Sequence, residues 1–547
     1  MPLTNTNPSM LNSHRIGMCA AEKTGVDRIS ELPDNVLRRI LCRLPLNEAA
    51  RTTVLGDAWR SSWISFLISD FDDELFPDRD SYTDPFVPFV NEHLQRLCNQ
   101  QRLSLQRFKL CVKNYHLHLP DYLDHWIKLA AAHNVKHLHL NRPRYNRFSV
   151  FPPSIYAQSL QVLELCGGRL SEPEGYSIDS LKFPSLKQLH FREIQSSENL
   201  LMSLINSCPL LEQLSIISCS DLFSLRLCGL AKLKSLDLAR GCIQSLHIDQ
   251  AENLESFVYS VDYYGIPCRV KITGCRKLKL LKLENIKVTR QWLTLLSDFP
   301  SLESLQIRLC YIDGRFKIPN PHLKHLELST PFLCICHPVL DDSISLNSFT
   351  YRGHIKPHCL QNINTSTVQI AKFVLMYNHL HTHEFFQLRQ FLSAFSQAKI
   401  LKLHINSFHK VEFQIRELKE KQNFQDKILK HVRLTVKDFT RSESYKDFVD
   451  GLIWAIRVQI LSIKILPRDN FDFIRSIQLI EVLCKRLISI TKGLCCASSH
   501  SRCWRHYFKS VKVVWSENQS CDCERLLELL PEFPLHDLHS ISFKFKY

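Results

Sequence analysis

Glycine is scarce in this sequence, at 14 of 547 residues, well under the roughly 7% of an average protein. Folds that bind nucleotides through glycine-rich phosphate loops are therefore disfavoured. The chain has neither a G-x-x-x-x-G-K phosphate loop nor a G-x-S-x-G nucleophile motif. No set of Ser, His and Asp residues assembles into a catalytic triad from the sequence alone. We predict that the chain is not an enzyme.

Long apolar runs are missing as well. No apolar run reaches the roughly 18 residues that a membrane-spanning helix needs, so we expect no membrane partner. The N-terminal segment has no apolar core of the kind that a secretory signal carries. We therefore expect the 21 cysteines to be reduced thiols in the cytoplasm or nucleus.

The cysteines do not show metal-binding spacing. Zinc sites usually combine a C-x-x-C pair with a second pair or with histidines at a set distance. The clusters present here are Cys334-x-Cys336-His337, Cys495-Cys496 with Cys503, and Cys521-x-Cys523. His383-Glu384-Phe385-Phe386-Gln387 lacks the second histidine of H-E-x-x-H. We predict no metal and no cofactor, and the C-terminal cysteines remain the exception left open.

Basic residues exceed acidic ones, 69 to 54, which gives a formal net charge of +15. The basic residues are scattered rather than grouped in blocks, so solubility is the favoured explanation. The alternative is a basic repeat protein that binds nucleic acid or some other partner. Binding that weakens steeply with salt would be the signature of a nucleic-acid partner.

What the sequence does contain is one recurring pattern, apolar-x-x-apolar-x-apolar, at intervals of roughly 21 to 30 residues, the range of leucine-rich repeats. Clear copies include Leu160/Leu163/Leu165, Leu211/Leu214/Ile216, Leu278/Leu281/Leu283 and Leu302/Leu305/Ile307. Weaker copies include Ile370/Phe373/Leu375, Ile400/Leu403/Ile405 and Val458/Leu461/Ile463. Alternating leucines point inward from a short strand, and stacked repeats share one continuous core. The pattern predicts an α/β leucine-rich-repeat horseshoe solenoid over residues 99–490.

Three local features refine the predicted repeats. Intermediate copies at Leu222/Leu225/Leu227 and Ile243/Leu246/Ile248 indicate a second short strand in some repeats. Apolar stripes predict helices over Asn199–Asn206 and Gln291–Leu296. Cys219 and Cys310 occupy the Asn/Cys position of the consensus, where the side chain serves the buried backbone of the turn.

The outward positions of the predicted strands would line the concave face of the solenoid. Their mixed polarity suits a protein surface better than a phosphate backbone. We therefore predict a weakly specified substrate-binding surface, made by Glu164, His190, Ser215, Asp237, Lys282, Gln306 and Glu327. Neither the identity of a substrate nor a small-ligand pocket can be read from these positions.

The stretch from Asp27 to Phe66 differs from everything that follows. Ser30-Glu31-Leu32-Pro33-Asp34 is a helix-start signal, and an apolar stripe with i, i+3, i+4 spacing follows it. Pro45 ends that helix, Gly56 ends a second short one, and Trp59 opens a third. Three short helices cannot bury this much apolar surface among themselves.

These residues resemble the F-box of plant F-box proteins. The matching segments are Asp27-Arg28-Ile29-Ser30, Leu32-Pro33, Ile40-Leu41, Leu44-Pro45, Ala50-Arg51-Thr52, Val54-Leu55 and Trp59-Arg60 with Trp63. One departure is Gly56-Asp57-Ala58, where the family usually carries Ser-Lys-Arg. The last sixty residues, with strand, helix and strand patterns, resemble the FBD region of plant F-box proteins with leucine-rich repeats.

The resemblance implies a substrate-recognition subunit of an SCF-type (Skp–cullin–F-box) ubiquitin ligase, with an unknown protein substrate. It implies that the F-box docks a Skp-type adaptor and, through it, a cullin. The expected contact residues are Leu32, Pro33, Leu37, Ile40, Leu41, Leu44, Pro45, Val54, Leu55, Trp59 and Trp63. The expected organisation is a disordered segment 1–25, an F-box 26–67, an acidic linker and short helix 68–98, the solenoid 99–490 and a cap 491–547.

Overall fold

The structure, a computed structural model, describes most of the chain. The described residues are 29, 32–41, 44, 48, 51–67, 70–73, 86–99, 106–112, 119–142, 151, 155–156, 158–170, 182–219, 221–262, 268–312, 314–329, 336–340, 344–354, 365–414, 427–437, 444–465, 471–491, 509–516, 519–530 and 540–547. The chain divides into two compact units. One comprises Met1–Phe71 and Pro88–Leu103, and the other comprises Asp72–Val87 and Ser104–Tyr547. The predicted segment 1–25 and most of the predicted linker lie outside the described residues.

The N-terminal elements are short. In chain order they are α1 (Asp34–Leu41), a 3₁₀ turn (Thr52–Leu55), α2 (Asp57–Leu67), β1 (Asp70–Asp72) and α3 (Phe86–Asn99). Gly56 ends the 3₁₀ turn with φ of 153°, a value that side chains on other residues disfavour. The helices therefore begin and end close to the positions that the proline and glycine signals predict.

The C-terminal elements are mostly strands, with helices between some of them. In chain order they are β2 (Arg107–Cys111), α4 (Leu119–Ala132), β3 (His137–Asn141), β4 (Val162–Arg169), β5 (Gln188–Gln195), α5 (Glu198–Asn206), β6 (Gln213–Ile217), β7 (Ser224–Cys228), β8 (Ser235–Gly241), β9 (Ser245–Asp249), β10 (Ser256–Val261), β11 (Arg269–Ile272), β12 (Leu280–Glu284), β13 (Lys287–Val288), α6 (Arg290–Leu295), β14 (Ser304–Arg308), β15 (Tyr311–Ile312), β16 (Gly314–Ile318), β17 (His325–Ser329), β18 (Cys336–Leu340), β19 (Ser348–Gly353), β20 (Ile370–Leu380), α7 (Thr382–Ala394), β21 (Ile400–Val411), β22 (Leu429–Lys437), α8 (Ser444–Ala455), β23 (Val458–Lys464), α9 (Phe471–Thr491), β24 (Ser510–Ser516), β25 (Gln519–Cys521), α10 (Cys523–Leu529) and β26 (Ser540–Lys546).

One long parallel sheet organises this unit. From β2 to β23 its strands pair in parallel in the order β2-β3-β4-β5-β6-β8-β10-β12-β14-β17-β19-β20-β21-β22-β23. Inward residues such as Leu163, Leu214, Leu281 and Leu305 are buried, and each contributes about 1.5–3 kcal/mol of hydrophobic stabilisation. The leucine-rich solenoid predicted from the repeats is therefore the observed fold.

A second, smaller sheet confirms the intermediate copies of the pattern. Strands β7, β9 and β11 pair in parallel, and Leu225, Leu227, Leu246 and Ile248 of this sheet are buried. Each of these strands lies between two strands of the long sheet in the chain. Several repeats therefore carry two strands, one in each sheet.

The turns that leave the long sheet use buried thiols. Cys310 Sγ donates to the carbonyl oxygens of Leu283 and Arg308 at 3.4 and 3.3 Å. Cys219 Sγ donates to the carbonyl oxygen of Ile217 at 3.7 Å. After β11 of the smaller sheet, Cys275 makes an equivalent contact with the carbonyl oxygen of Thr273. The predicted role of the Asn/Cys position is thereby confirmed, because the thiols of Cys219 and Cys310 hydrogen-bond backbone carbonyls of the turns.

Two weaker copies of the pattern were assigned in the wrong register. Ile370 was expected to pack beneath its strand, but it lies on the outward face and is 42% exposed. Val368 and Ala398 are the buried residues at that position in these two repeats, and Ile400 pairs with Ile370 on the outward face. Strands β20 and β21 have 11 and 12 residues, so their inward residues continue further and the pattern fits equally well two residues later.

The direction of the strands changes at the C-terminal end of the sheet. β26 pairs antiparallel with β23, and β24 pairs antiparallel with β26. Tyr547 Oη accepts from the Val458 amide at 3.1 Å and donates to its carbonyl at 3.0 Å. The backbone of β23 is therefore paired on both sides, and the strand, helix and strand predicted from the sequence are present.

We predict that the turn thiols resist alkylation in the folded chain. Burial raises the pKa of Cys310 to about 12 and that of Cys219 to about 11, and the thiolate is the reactive form. Brief treatment with iodoacetamide followed by peptide mass spectrometry should modify the exposed Cys228 and leave Cys219 and Cys310 unmodified until urea is added. Labelling of Cys310 at the rate of Cys228 in native buffer would contradict this assignment.

Candidate functional site

The residues expected to contact an adaptor fall into two groups in the N-terminal unit. Leu37, Leu41 and Trp59 form a buried cluster, with exposed fractions of 1%, 0% and 3%. Leu32, Ile40 and Leu44 are partly buried and pack against this cluster. The apolar stripe of α1 thus supplies the internal core that joins α1 to α2.

The second group is exposed. Val54 and Leu55, adjacent on the 3₁₀ turn, are 84% and 54% exposed, and Pro33 is also exposed. Ile29, which was not among the expected contact residues although it belongs to the matched Asp27–Ser30 segment, is 56% exposed. Pro45 and the side chain of Trp63 lie outside the part of the chain that the structure describes. Whether any of these residues contacts an adaptor stays a prediction.

The seven residues predicted for the concave surface all lie in a single row across the long sheet. We call this the central row. Its members are paired strand by strand, from Lys109 through His139, Glu164, His190, Ser215, Asp237, Val258, Lys282, Gln306, Glu327, Thr350, Lys372 and Lys402 to Arg433. The alternation of inward and outward side chains in parallel strands produces such a row.

The N-terminal half of the central row combines acidic side chains with histidines. His139 Nδ1 lies 2.5 Å from a carboxylate oxygen of Glu164, and this hydrogen bond lowers the pKa of Glu164. Burial raises the pKa of Asp237, against the opposing effect of Lys282. Burial also lowers the pKa of His190, so that ring stays neutral near physiological pH.

The C-terminal half of the row is basic. Glu327, with only 13% of its side chain exposed, is held between two arginines of the flanking row. Arg308 Nη2 lies 2.7 Å from one of its oxygens and Arg352 Nε lies 3.2 Å from the other. Beyond this cluster come Lys372, Lys402 and Arg433, which the sequence prediction missed. The alternation of inward and outward side chains along β20–β22 would have identified these three residues.

Two of the other candidate motifs have structural roles, whereas Cys334, Cys495, Cys496 and Cys503 lie outside the described residues, as do the side chains of Cys336 and His337. Glu384 accepts a hydrogen bond from the His381 amide at 2.9 Å and so caps α7, which accounts for the incomplete H-E-x-x-H motif. Cys523 is buried and hydrogen-bonds Cys484, which raises the pKa of Cys484. Across the described ranges, no group of three or more His, Cys, Asp or Glu side chains is arranged to hold a metal ion. Within those ranges, no helix has the length and apolarity to cross a membrane.

The division of the N-terminal unit into core and exposed residues predicts different mutant stabilities. Leu41→Ala should cost about 2–5 kcal/mol because it leaves a cavity in the core, whereas Leu55→Ala should change stability by less than about 0.5 kcal/mol. Amide hydrogen exchange of the full chain should accelerate in α1 and α2 for Leu41→Ala alone. Equal acceleration in both variants would refute the division.

Comparison with known proteins gives matches to plant F-box proteins. The family model described as FBD-associated F-box protein At5g56370, LRR repeats, matches residues 123–291, which lie in the long sheet and its connections. Putative FBD-associated F-box protein At5g22720 of Arabidopsis thaliana is 33% identical over 243 residues, covering 43% of this chain and 48% of the relative. F-box/LRR-repeat protein 13 of the same plant is 33% identical over 201 residues, covering 35% of this chain and 41% of the relative.

The chain spans about half the length of the curated relatives it matches. Among solved structures, the crystal structure of the leucine-rich repeat domain of APL1B matches this chain with 14% sequence identity and a TM-score of 0.32. The match covers 66% of this chain and 95% of the APL1B chain. A TM-score this low adds nothing to the evidence of the strand pairing. The family model and the named relatives show that this chain is similar to plant F-box/FBD/LRR-repeat proteins.

Proposed function

We propose that this chain is the substrate-recognition subunit of an SCF-type ubiquitin ligase, in which residues 26–67 act as the F-box. The observation that carries the proposal is the exposure of Val54 and Leu55, which stand side by side on the turn between two helices. Burial of each side chain in an interface gains about 1.5–3 kcal/mol. A Skp-type adaptor, and through it a cullin, is the partner that the names of the relatives favour.

The buried cluster of Leu37, Leu41 and Trp59 has an indirect role in this proposal. These side chains fix the positions of α1 and α2 and thereby hold the Thr52–Leu55 turn at the surface. A rigid docking segment loses less conformational entropy on binding than a flexible one. In this proposal the exposed residues contact the adaptor, namely Ile29, Pro33, Val54 and Leu55. The buried cluster holds these residues in position.

In this account the long sheet presents a protein substrate, and the chain itself makes no covalent bond. Binding one protein to the adaptor and another to the sheet raises the effective concentration of substrate lysines near a charged conjugating enzyme. The antiparallel strands β24–β26 would act as the cap that a solenoid needs at its end. This division of labour requires no catalytic residue and no cofactor in the chain.

The proposal predicts that Val54→Asp/Leu55→Asp weakens capture of a purified Skp-type adaptor by the full chain. A charge at these positions would have to be desolvated in an apolar interface, so we expect at least a tenfold loss of affinity, about 1.4 kcal/mol or more. The readout is a quantitative pull-down, with unchanged circular dichroism as the check on folding.

A matched control is Phe223→Asp, which places the same charge on a side chain of the larger unit that is 51% exposed. This variant should capture the adaptor as well as the wild type does. If the wild-type chain captures no adaptor, the proposed function is wrong. If the Val54/Leu55 variant binds normally, the assignment of the contact residues is wrong.

A further inference from the structure

The outward face of the sheet carries a concentration of positive charge between β14 and β22. Three rows of outward residues cross these strands: the central row and the rows two residues before and after it. Five of the outward side chains are cations, and we call them the basic patch: Arg308, Arg352, Lys372, Lys402 and Arg433. Glu327 is the one carboxylate that these rows contain between Ser304 and Thr435.

Among the residues that the structure describes, Glu327 is the carboxylate that pairs with the basic patch. Glu327 already pairs with both Arg308 and Arg352, so that group of three retains a positive charge. In the part of the chain that the structure describes, Lys372 and Lys402 form no ion pair with a carboxylate. Burial lowers the pKa of Lys372, and the positive charges of Arg352 and Lys402 add to this effect. Cations held this close repel one another, and a bound anion would offset that repulsion. The patch therefore favours anion binding.

Apolar side chains border the lysines on one side. Ile370 and Ile400 stand next to Lys372 and Lys402 on the outward face and pair with each other across β20 and β21. Ile370 is 42% exposed. The three rows between Ser304 and Thr435 contain no Phe, Tyr or Trp, although aromatic rings are the platforms on which single-stranded nucleic acids stack their bases. The mixture of cations and isoleucines suits a peptide better than RNA or DNA.

We propose that the basic patch binds an acidic segment of a partner protein, in which Asp, Glu or phosphorylated residues alternate with apolar side chains. The carboxylates would contact Lys372, Lys402 and Arg433, and the apolar side chains would cover Ile370 and Ile400. From β14 to β22 the patch crosses five strand spacings, roughly 24 Å, which about seven residues of extended peptide span. The proposal that the patch binds an acidic peptide depends only on these observations. The further statement that this peptide belongs to a ligase substrate rests on the proposed function.

The test uses the purified full chain and two short fluorescent peptides. One alternates glutamate with leucine, and the other has glutamine in place of each glutamate. Fluorescence anisotropy should show binding of the acidic peptide alone, and this binding should weaken as salt is added. Lys372→Gln/Lys402→Gln should lower the affinity roughly tenfold, because two charge-assisted contacts are lost. Glu327→Gln should raise the affinity severalfold, because it removes the competing carboxylate.

The matched control is Lys446→Gln/Lys485→Gln, which makes the same change of charge on helices α8 and α9 instead of the sheet. Its affinity for the acidic peptide should equal that of the wild type. Glutamine keeps part of the aliphatic stem of lysine, and thermal melting of each variant checks that the fold is retained. The same affinity in the two double variants, or no binding of the acidic peptide at all, would overturn the proposal.

A further arm tests nucleic acid as the occupant. Labelled polyuridine should not displace the acidic peptide. If it binds more tightly than the peptide and loses affinity in Lys372→Gln/Lys402→Gln, the face belongs to nucleic acid and the proposal is wrong. Adaptor capture is measured on the same preparations: a chain that binds the peptide without capturing the adaptor contradicts the proposed function alone, and the converse result contradicts the basic patch alone.

Discussion

The pairing register of the parallel strands is the constraint on which the rest of the larger unit depends. Because side chains alternate across each strand, in-register pairing places every leucine of the repeat inside and every residue between two leucines outside. Leu305 and Ile307 are buried for this reason, and Gln306 between them belongs to the central row. One set of backbone hydrogen bonds thus builds both the core and the surface available for recognition. A slip by a single residue would exchange the two.

Much of this fold could be predicted from sequence because its signal is local. The spacing of Leu302, Leu305 and Ile307 fixes which residues face inward, and the thiol of Cys310 serves the turn that follows. The register of β20 and β21 was missed because their long apolar strands fit the pattern at two positions. Ile370 was therefore assigned to the core, and Lys372, on the same outward face, went unnoticed. Where the apolar pattern fits a strand at two positions, only the pairing of the strands in the structure shows which residues face inward.

The N-terminal unit shows a different limit of sequence reasoning. The helical stripe of Leu37 and Leu41 identifies apolar residues, but periodicity does not distinguish a core from an interface. The structure separates them: the stripe and Trp59 pack on one another, and Val54 and Leu55 remain exposed. The surface proposed for the adaptor is consequently smaller than the set of apolar residues that matches the F-box pattern. The segregation of charge along the central row likewise becomes apparent only when the strands are paired across the sheet.

The central claim is that two separate surfaces serve two partners. It is tested most directly by placing a photo-crosslinking amino acid at position 54 in one protein and at position 350, inside the central row, in another. After irradiation with a Skp-type adaptor and the acidic peptide together, we predict that position 54 captures only the adaptor and position 350 captures only the peptide. Capture of the adaptor from position 350, or of the peptide from position 54, would contradict the account.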